Sequence, residues 1–391
     1  MRSRLLLGAY VLAGCGEPAD MPADAGAIDA IELDAAPDAW VDTYPWNLPL
    51  GFPTPIVPAT NPMSEVKVEL GRRLFYDTRM SGNQTFSCAS CHEQAKAFTD
   101  GAAVAVGSTG ELHPRNSMSL TNVAYLGRFT WANHLLAELE TQAVVPIFGD
   151  MPVELGLRNM ENVLLARLAA EPIYPPLFAE AFPDEATPIS VQNVAKALAA
   201  FQRTLISANS PFDRYQRGDA NAISESAKRG KALFDSEKAE CFHCHQGFNF
   251  QDVVRYVGKP NAEVRFHNTG LYNLGGTGAY PANNTGLHGL TLNPSDMGKF
   301  RAPTLRNIAV TAPYFHDGSA ATLDDVIDHY AAGRRTIETG PNAGVGSANP
   351  YKSSFIIGFT LTAQERADLK AFLESLTDDE FLTAPRFANP W

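Results

Sequence analysis

Apolar positions recur at helical intervals in several stretches of the chain. Residues 189–207 (ISVQNVAKALAAFQRTLIS) predict a helix with one buried face. Residues 322–330 (TLDDVIDHY) predict a second. Leu323, Val326, Ile327 and Tyr330 fall at i, i+3, i+4 and i+7, Thr322 and Asp325 form a capping box, and Gly333 is a stop. On this pattern Tyr330 faces inward and His329 points elsewhere. Thr362 and Glu365 are spaced as a capping box that opens a C-terminal helix. Residues 275–289 are rich in glycine and asparagine and read as a long loop. There is no short-period repeat.

The N-terminus departs from this pattern. Arg2 and Arg4 precede a short apolar run, Leu5 to Ala13, too short to span a bilayer, which marks a secretory signal. The run ends in Leu12-Ala13-Gly14-Cys15, which resembles a bacterial lipobox. That resemblance implies cleavage before Cys15, lipidation of its thiol and a periplasmic or cell-envelope location, with membrane contact through the lipid only. Residues 16–43 follow as an acidic tether. Residues 16–42 hold eight carboxylates and no Lys or Arg, and cannot bury enough apolar surface to offset their ordering entropy.

Composition narrows the function. With 45% hydrophobic and 19% charged residues the chain is an ordinary globular one, and 30 glycines and 27 prolines point to long loops. A net charge of −12 argues against nucleic-acid binding, which needs a basic face. The five cysteines are an odd number, so they do not form a purely internal disulfide framework.

Four of those cysteines carry the chemistry. Cys88-Ala-Ser-Cys91-His92 and Cys241-Phe-His-Cys244-His245 are both C-x-x-C-H. Two thiols at this spacing reach the two vinyl groups on one porphyrin edge, and the adjacent histidine turns onto the iron as proximal ligand. A zinc site built from the four cysteines would leave both histidines unexplained. A thioredoxin-like redox pair would call for a flanking βαβ pattern, which neither motif has. The two motifs stand 153 residues apart, each in a segment long enough for its own domain. The expected fold is mostly α: two cytochrome-c-like domains with long loops, residues 44–215 and 216–391, each carrying one covalent haem c. An electron-carrying haem needs a sixth ligand, and a catalytic haem keeps one face open for peroxide. On residues alone Tyr330 reads as a core tyrosine rather than a ligand.

Two stretches, residues 300–318 (FRAPTLRNIAVTAPYFHDG) and 115–125 (RNSMSLTNVAY), resemble the signatures of bacterial di-haem cytochrome c peroxidases and the MauG group. The resemblance covers roughly residues 44–380. YPWNLPLGFPTPIVPATNP, ELGRRLFYDTRMSGNQTFSCASCH, ECFHCHQGFNF and FHNTGLYNL are most similar to the MbnH-like subfamily. That branch pairs with MbnP, a copper-binding protein in which a tryptophan is oxidised to kynurenine.

The resemblance implies roles. His92 would hold a high-spin haem that reacts with peroxide, and His245 a low-spin one. Fourteen residues after His316, where peroxidases place an axial methionine and MauG-like enzymes a tyrosine, this chain has Tyr330, with His329 and Met297 as reserve candidates. A phenolate ligand lowers the reduction potential, which suits a high-valent state shared by both haems. Trp131 matches the tryptophan between the haems. Gln142, Pro146 and Glu154 match the distal pocket, where the carboxylate would move protons during O–O cleavage. The peroxidases follow the tryptophan with Asp-Gly-Arg; this chain has Ala132-Asn133-His134. Asn116, Thr311 and Pro313 match positions that bind an interdomain calcium ion. The histidine that caps the resting haem in classical peroxidases falls at Ser108 here, which implies an open haem and makes the nearby His113 structural or exposed. Three functions follow for comparison: peroxide-driven oxidation of a partner protein, reduction of peroxide with electrons from a small cytochrome, or electron transfer without catalysis.

Overall fold

The computed structural model describes residues 43–391 of the protein. The lipobox cysteine Cys15, the signal and nearly all of the acidic tether lie outside the described residues. Eleven α-helices are present among the described residues, running from α1 to α11. They are α1 (Glu65–Tyr76), α2 (Leu139–Phe148), α3 (Glu161–Ala170), α4 (Tyr174–Ala181), α5 (Val191–Arg203), α6 (Pro211–Gln216), α7 (Glu225–Phe234), α8 (His288–Thr291), α9 (Leu323–Ala332), α10 (Ala363–Glu374) and α11 (Asp379–Thr383). One short antiparallel pair, β1 (Thr336–Ile337) and β2 (Gly344–Val345), aligns Thr336 with Val345. No described helix is long and apolar enough to cross a membrane.

The helices that the apolar pattern predicts are present. Within residues 189–207, α5 starts at Ser190, whose side chain accepts from Asn193 N, and buries Val194, Leu198 and Phe201. Thr322 and Asp325 cap α9 reciprocally, and Gly333 closes it at φ 65°. Thr362 and Glu365 do the same at the start of α10.

One helix crossing is built twice. Helix α1 lies on α5 with Gly71 at the contact, where an added Cβ would meet Ala197 O at 1.9 Å. Helix α7 lies on α10 with Gly230 at the contact, where a Cβ would meet Asp368 O at 1.9 Å. In each case a phenylalanine, Phe201 or Phe372, is the next neighbour. Each C-x-x-C-H motif follows the first helix of its pair in the chain. This repeat is spatial: it rests on one glycine and one aromatic per pair, too little to show as sequence self-similarity.

Two cores follow from the two crossings. One gathers Leu70, Leu74, Phe75, Leu164, Phe178, Leu198 and Phe201, and takes in Phe381 and Phe387 from the end of the chain. The other gathers Phe212, Phe234, Phe250, Leu323, Ile327, Leu369 and Phe372. Each such side chain contributes about 1.5–3 kcal/mol when fully buried. A buried polar joint links segments of both. Asp378 accepts from Ser207 Oγ at 3.0 Å and from Ala208 N at 2.9 Å, and its own amide donates to Asn307 at 2.7 Å. Asn122 joins Ser207 to Asn249. Beside it Asp213 holds Arg306 in a two-pronged pair at 2.8 and 2.9 Å, both side chains nearly fully buried.

Candidate active site

The first motif sits on a single 3-10 turn, Cys88–Ser90, held by reciprocal bonds between Ser87 and Ser90. The chain then doubles back through Ala97 and Phe98, both in the left-handed region at φ 51° and 61°. This return aims the Phe98 carbonyl at Nδ1 of His92, 2.7 Å away. A carbonyl only accepts, so Nδ1 carries the proton and Nε2 keeps a free lone pair. Burial lowers the pKa of His92 and keeps the ring neutral, the form that ligates a metal.

The second motif repeats this arrangement. Cys241–His243 form a 3-10 turn, Phe250 is left-handed at φ 48°, and Nδ1 of His245 donates to Phe250 O at 3.1 Å. Burial lowers the pKa of His245 as well. The four cysteines do not converge: Cys88 and Cys91 line one cavity, and Cys241 and Cys244 another. That excludes a zinc site built from all four.

The first cavity, about 190 Å³, gathers Cys88, Cys91 and His92 with Gln142, Pro146, Glu154 and Trp131. Gln142 and Pro146 stand one turn apart on α2 and so share a face. Leu155 N donates to Pro146 O at 2.9 Å, and Ser108 N donates to Glu154 O at 2.7 Å. These two bonds fold the loop carrying Glu154 over the cavity. His113 is the residue that the sequence expects to be structural or exposed. It lies on the cavity wall, half-buried, with Nε2 3.8 Å from Glu154 Oε1. The bond from its amide to Ala105 O turns it there. His134 lines the cavity of neither motif, and its Nδ1 is buried without a partner.

The second cavity, about 170 Å³, is walled mainly by apolar side chains, among them Leu271, Phe300, Phe315, Ile327 and Leu373, with Cys241, Cys244 and His245 on one side. Tyr330 lines it, and burial pushes its hydroxyl pKa up. His329 and Met297 do not line it. The sequence pattern placed His329 away from the interior; the structure corrects this. His329 is 7% exposed, because Thr269 and Phe315 cover that side of α9. Its Nε2 donates to Thr269 O at 2.9 Å.

Trp131 lines both cavities. Its Nε1 donates to Asn116 O at 2.8 Å, and its carbonyl accepts from Arg301 N at 2.8 Å. Asn116, Thr311 and Pro313 meet at a third, smaller cavity of about 60 Å³. There Asn116 Nδ2 donates to Ala102 O at 2.7 Å and to Pro313 O at 3.3 Å, and Arg301 and Arg306 share the wall.

Several cavity residues escape a reading by motif. His267 pairs with Asp252 at 2.6 Å; burial works against its charge, but the bond to Asp252 wins and pushes its pKa up to about 9. His316 stacks on Phe300 at 3.6 Å, with Nε2 buried and unpartnered, and burial pulls its pKa down to about 3. Arg115 and Arg301 line the first cavity, and Arg301 also lines the second. All stand inside or beside the resembling stretches, but which distant residues bury or pair with them leaves no mark in a sequence.

Each cavity therefore offers an apolar slot, two thiols and a neutral histidine with a free Nε2. That donor set fits one haem c in each.

Comparison with known proteins agrees. The sequence profile of the family described as di-haem cytochrome c peroxidase matches residues 65–221. The chain is 39% identical to cytochrome-c peroxidase IdrP1 of Denitromonas iodatirespirans over 85% of this chain and 87% of that one. It is 35% identical to the methylamine utilization protein MauG of Methylorubrum extorquens over 94% and 91% of the two chains. Among solved structures, a MauG-like protein associated with microbial copper homeostasis superposes with a TM-score of 0.87 at 50% identity, over 90% of this chain and 100% of that one.

Proposed function

Because the chain belongs to the di-haem cytochrome c peroxidase and MauG family, and is thus a peroxide-dependent di-haem oxidoreductase, we propose that it uses peroxide to oxidise a residue on a partner protein. The partner is a secreted copper-binding protein and the target a tryptophan, converted to kynurenine. The observation that carries this reading is Tyr330 on the wall of the His245 cavity, at the position where a simple peroxidase would have methionine. The 50% identity to a protein associated with copper homeostasis supports the choice of partner.

Cys88, Cys91 and His92 would hold one haem; Cys241, Cys244, His245 and Tyr330 would hold the other. We assign these to two haem domains, residues 44–215 and 216–391. When bound, the pair supplies the two-electron chemistry that peroxide reduction requires. The chain's own residues arrange the rest. Glu154 would take a proton from one oxygen of the peroxide and return it to the other, which leaves as water. Gln142 and Pro146 wall the space in which peroxide sits and limit the water that shares it. Trp131, pinned at both its Nε1 and its carbonyl, is the aromatic bridge along which electrons leave one cavity for the other. The partner reaches neither cavity and is oxidised at the surface by long-range electron transfer.

We assign Asn116, Thr311 and Pro313 to a calcium site, to which an Asn116 amide turned from its bond to Pro313 O would offer Oδ1 beside two main-chain carbonyls. Lipidation at Cys15 would hold the enzyme at the bacterial cell envelope. The competing reading is a peroxidase fed by a small cytochrome, which is how several relatives are named. A competition assay separates the two. Holoenzyme given peroxide with both a reduced small cytochrome and the copper-binding partner should modify the partner at a rate the cytochrome does not suppress. Rapid cytochrome oxidation with an unmodified partner would establish the peroxidase instead.

A further inference from the structure

Two guanidinium groups in the cavity walls lack the counter-charges that buried cations need. The other deeply buried arginines have them: Arg203 pairs with Glu140 at 2.7 Å and Arg306 with Asp213 at 2.8 Å. Arg301 is only 4% exposed. Its Nε donates to Thr130 O at 3.1 Å and its Nη2 meets Met118 Sδ at 3.3 Å, while Nη1 has no hydrogen bond. Among the described residues no carboxylate oxygen lies within the 4.0 Å of an ion pair. Asp252, which acts on it at longer range, is already bonded to His267. Arg115 is half-buried and uses only Nε, which donates to Asn284 Oδ1 at 2.8 Å; its guanidinium lies 5.4 Å from the centre of the Phe300 ring. Burial pulls both arginines down to about 10.

Arg301 lines the cavities of both C-x-x-C-H motifs, whereas Arg115 lines that of the first only. Arg301 is also tied to the bridging segment, through its amide to Trp131 O and its Nε to Thr130 O.

We infer that Arg301 and Arg115 are positioning residues whose counter-anions are the propionate carboxylates of the bound porphyrins, Arg301 shared between the two cavities and Arg115 serving the first. This rests on the two-haem reading above. Each haem c brings two carboxylates into a slot whose walls are otherwise largely apolar, and a planar guanidinium suits a carboxylate better than an ammonium does. Bound this way, Arg301 would tie the porphyrins to the segment that carries Trp131. Its fixed positive charge also favours the reduced iron electrostatically.

The test is spectroelectrochemical titration of the holoprotein carrying Arg301→Gln, Arg301→Lys, Arg115→Gln or Arg115→Lys. Arg301→Gln should lower the midpoint of both haems, by about tenfold in the one-electron equilibrium constant, or about 59 mV. Arg301→Lys, which keeps the charge, should stay near the parent. Arg115→Gln should lower the midpoint of the His92 haem alone. Unshifted midpoints in both Gln variants, or equal shifts in Gln and Lys forms at a site, overturn the assignment. If Arg301→Gln gives no holoprotein, the Arg115 pair decides. Haem content of the parent protein keeps the two readings apart. Other than two haems per chain overturns the cofactor reading, and two haems with unmoved midpoints overturn the arginine assignment alone.

Discussion

The indole Nε1 of Trp131 donates to the main-chain carbonyl of Asn116 at 2.8 Å, pinning a ring that belongs to the walls of both haem cavities. Trp131→Phe removes that bond and the larger ring but leaves both C-x-x-C-H motifs intact. Haem content and the resting spectrum should be unchanged. Partner oxidation should fall at least about tenfold, each tenfold being about 1.4 kcal/mol of barrier. Rates measured under excess peroxide check this.

Glu154 is the carboxylate that lines the His92 cavity. Glu154→Gln keeps its shape and removes its proton-transfer capacity. The rate of reaction with peroxide should drop by roughly 10²–10⁴. Stopped-flow spectra of the ferric holoenzyme mixed with peroxide read this directly, and the midpoint potentials should not move.

Tyr330 is the candidate sixth ligand that lines the His245 cavity; the other two, His329 and Met297, do not. Tyr330→Phe should therefore abolish the six-coordinate low-spin ferric signal by EPR and leave the high-spin signal. Tyr330→Met should keep a low-spin haem but raise its midpoint, since a thioether favours reduced iron where a phenolate favours oxidised iron.

The Asp213–Arg306 pair is a stability element apart from the chemistry. Burial alone would raise the pKa of Asp213, but the hydrogen bonds and charge of Arg306 outweigh it and hold the carboxyl below its usual value. A depressed folded pKa contributes stability above the unfolded value of about 3.9, and that stability is lost as pH falls through the folded value. Asp213→Asn strands a buried guanidinium and should cost about 3–5 kcal/mol at neutral pH. The deficit relative to the parent should shrink in acid. Denaturant melts of holoprotein at pH 7 and pH 3 measure both.

The legible parts of the fold were those with local signals. Helices α5, α9 and α10 carry their caps and apolar stripes in sequence, and each haem motif is contiguous. The burial of His329 was not legible, because it depends on Thr269 and Phe315 arriving from elsewhere in the chain. The place of His113 on the cavity wall depends likewise on the pairing of its strand-like segment with Ala105. Arg301 stands within a recognisable motif, but nothing local distinguishes a guanidinium with a carboxylate partner from one without. The duplicated helix crossing at Gly71 and Gly230 was hidden because its requirement is close backbone approach, which many surrounding sequences satisfy.

The central claim is that oxidising equivalents from peroxide end on a partner protein. Mass spectrometry of the copper-binding partner, after incubation with holoenzyme and peroxide, tests it most directly. The account predicts one tryptophan converted to kynurenine, absent when peroxide or enzyme is omitted and strongly reduced with Trp131→Phe. An unmodified partner, with peroxide consumed at the same rate whether or not the partner is present, would contradict it.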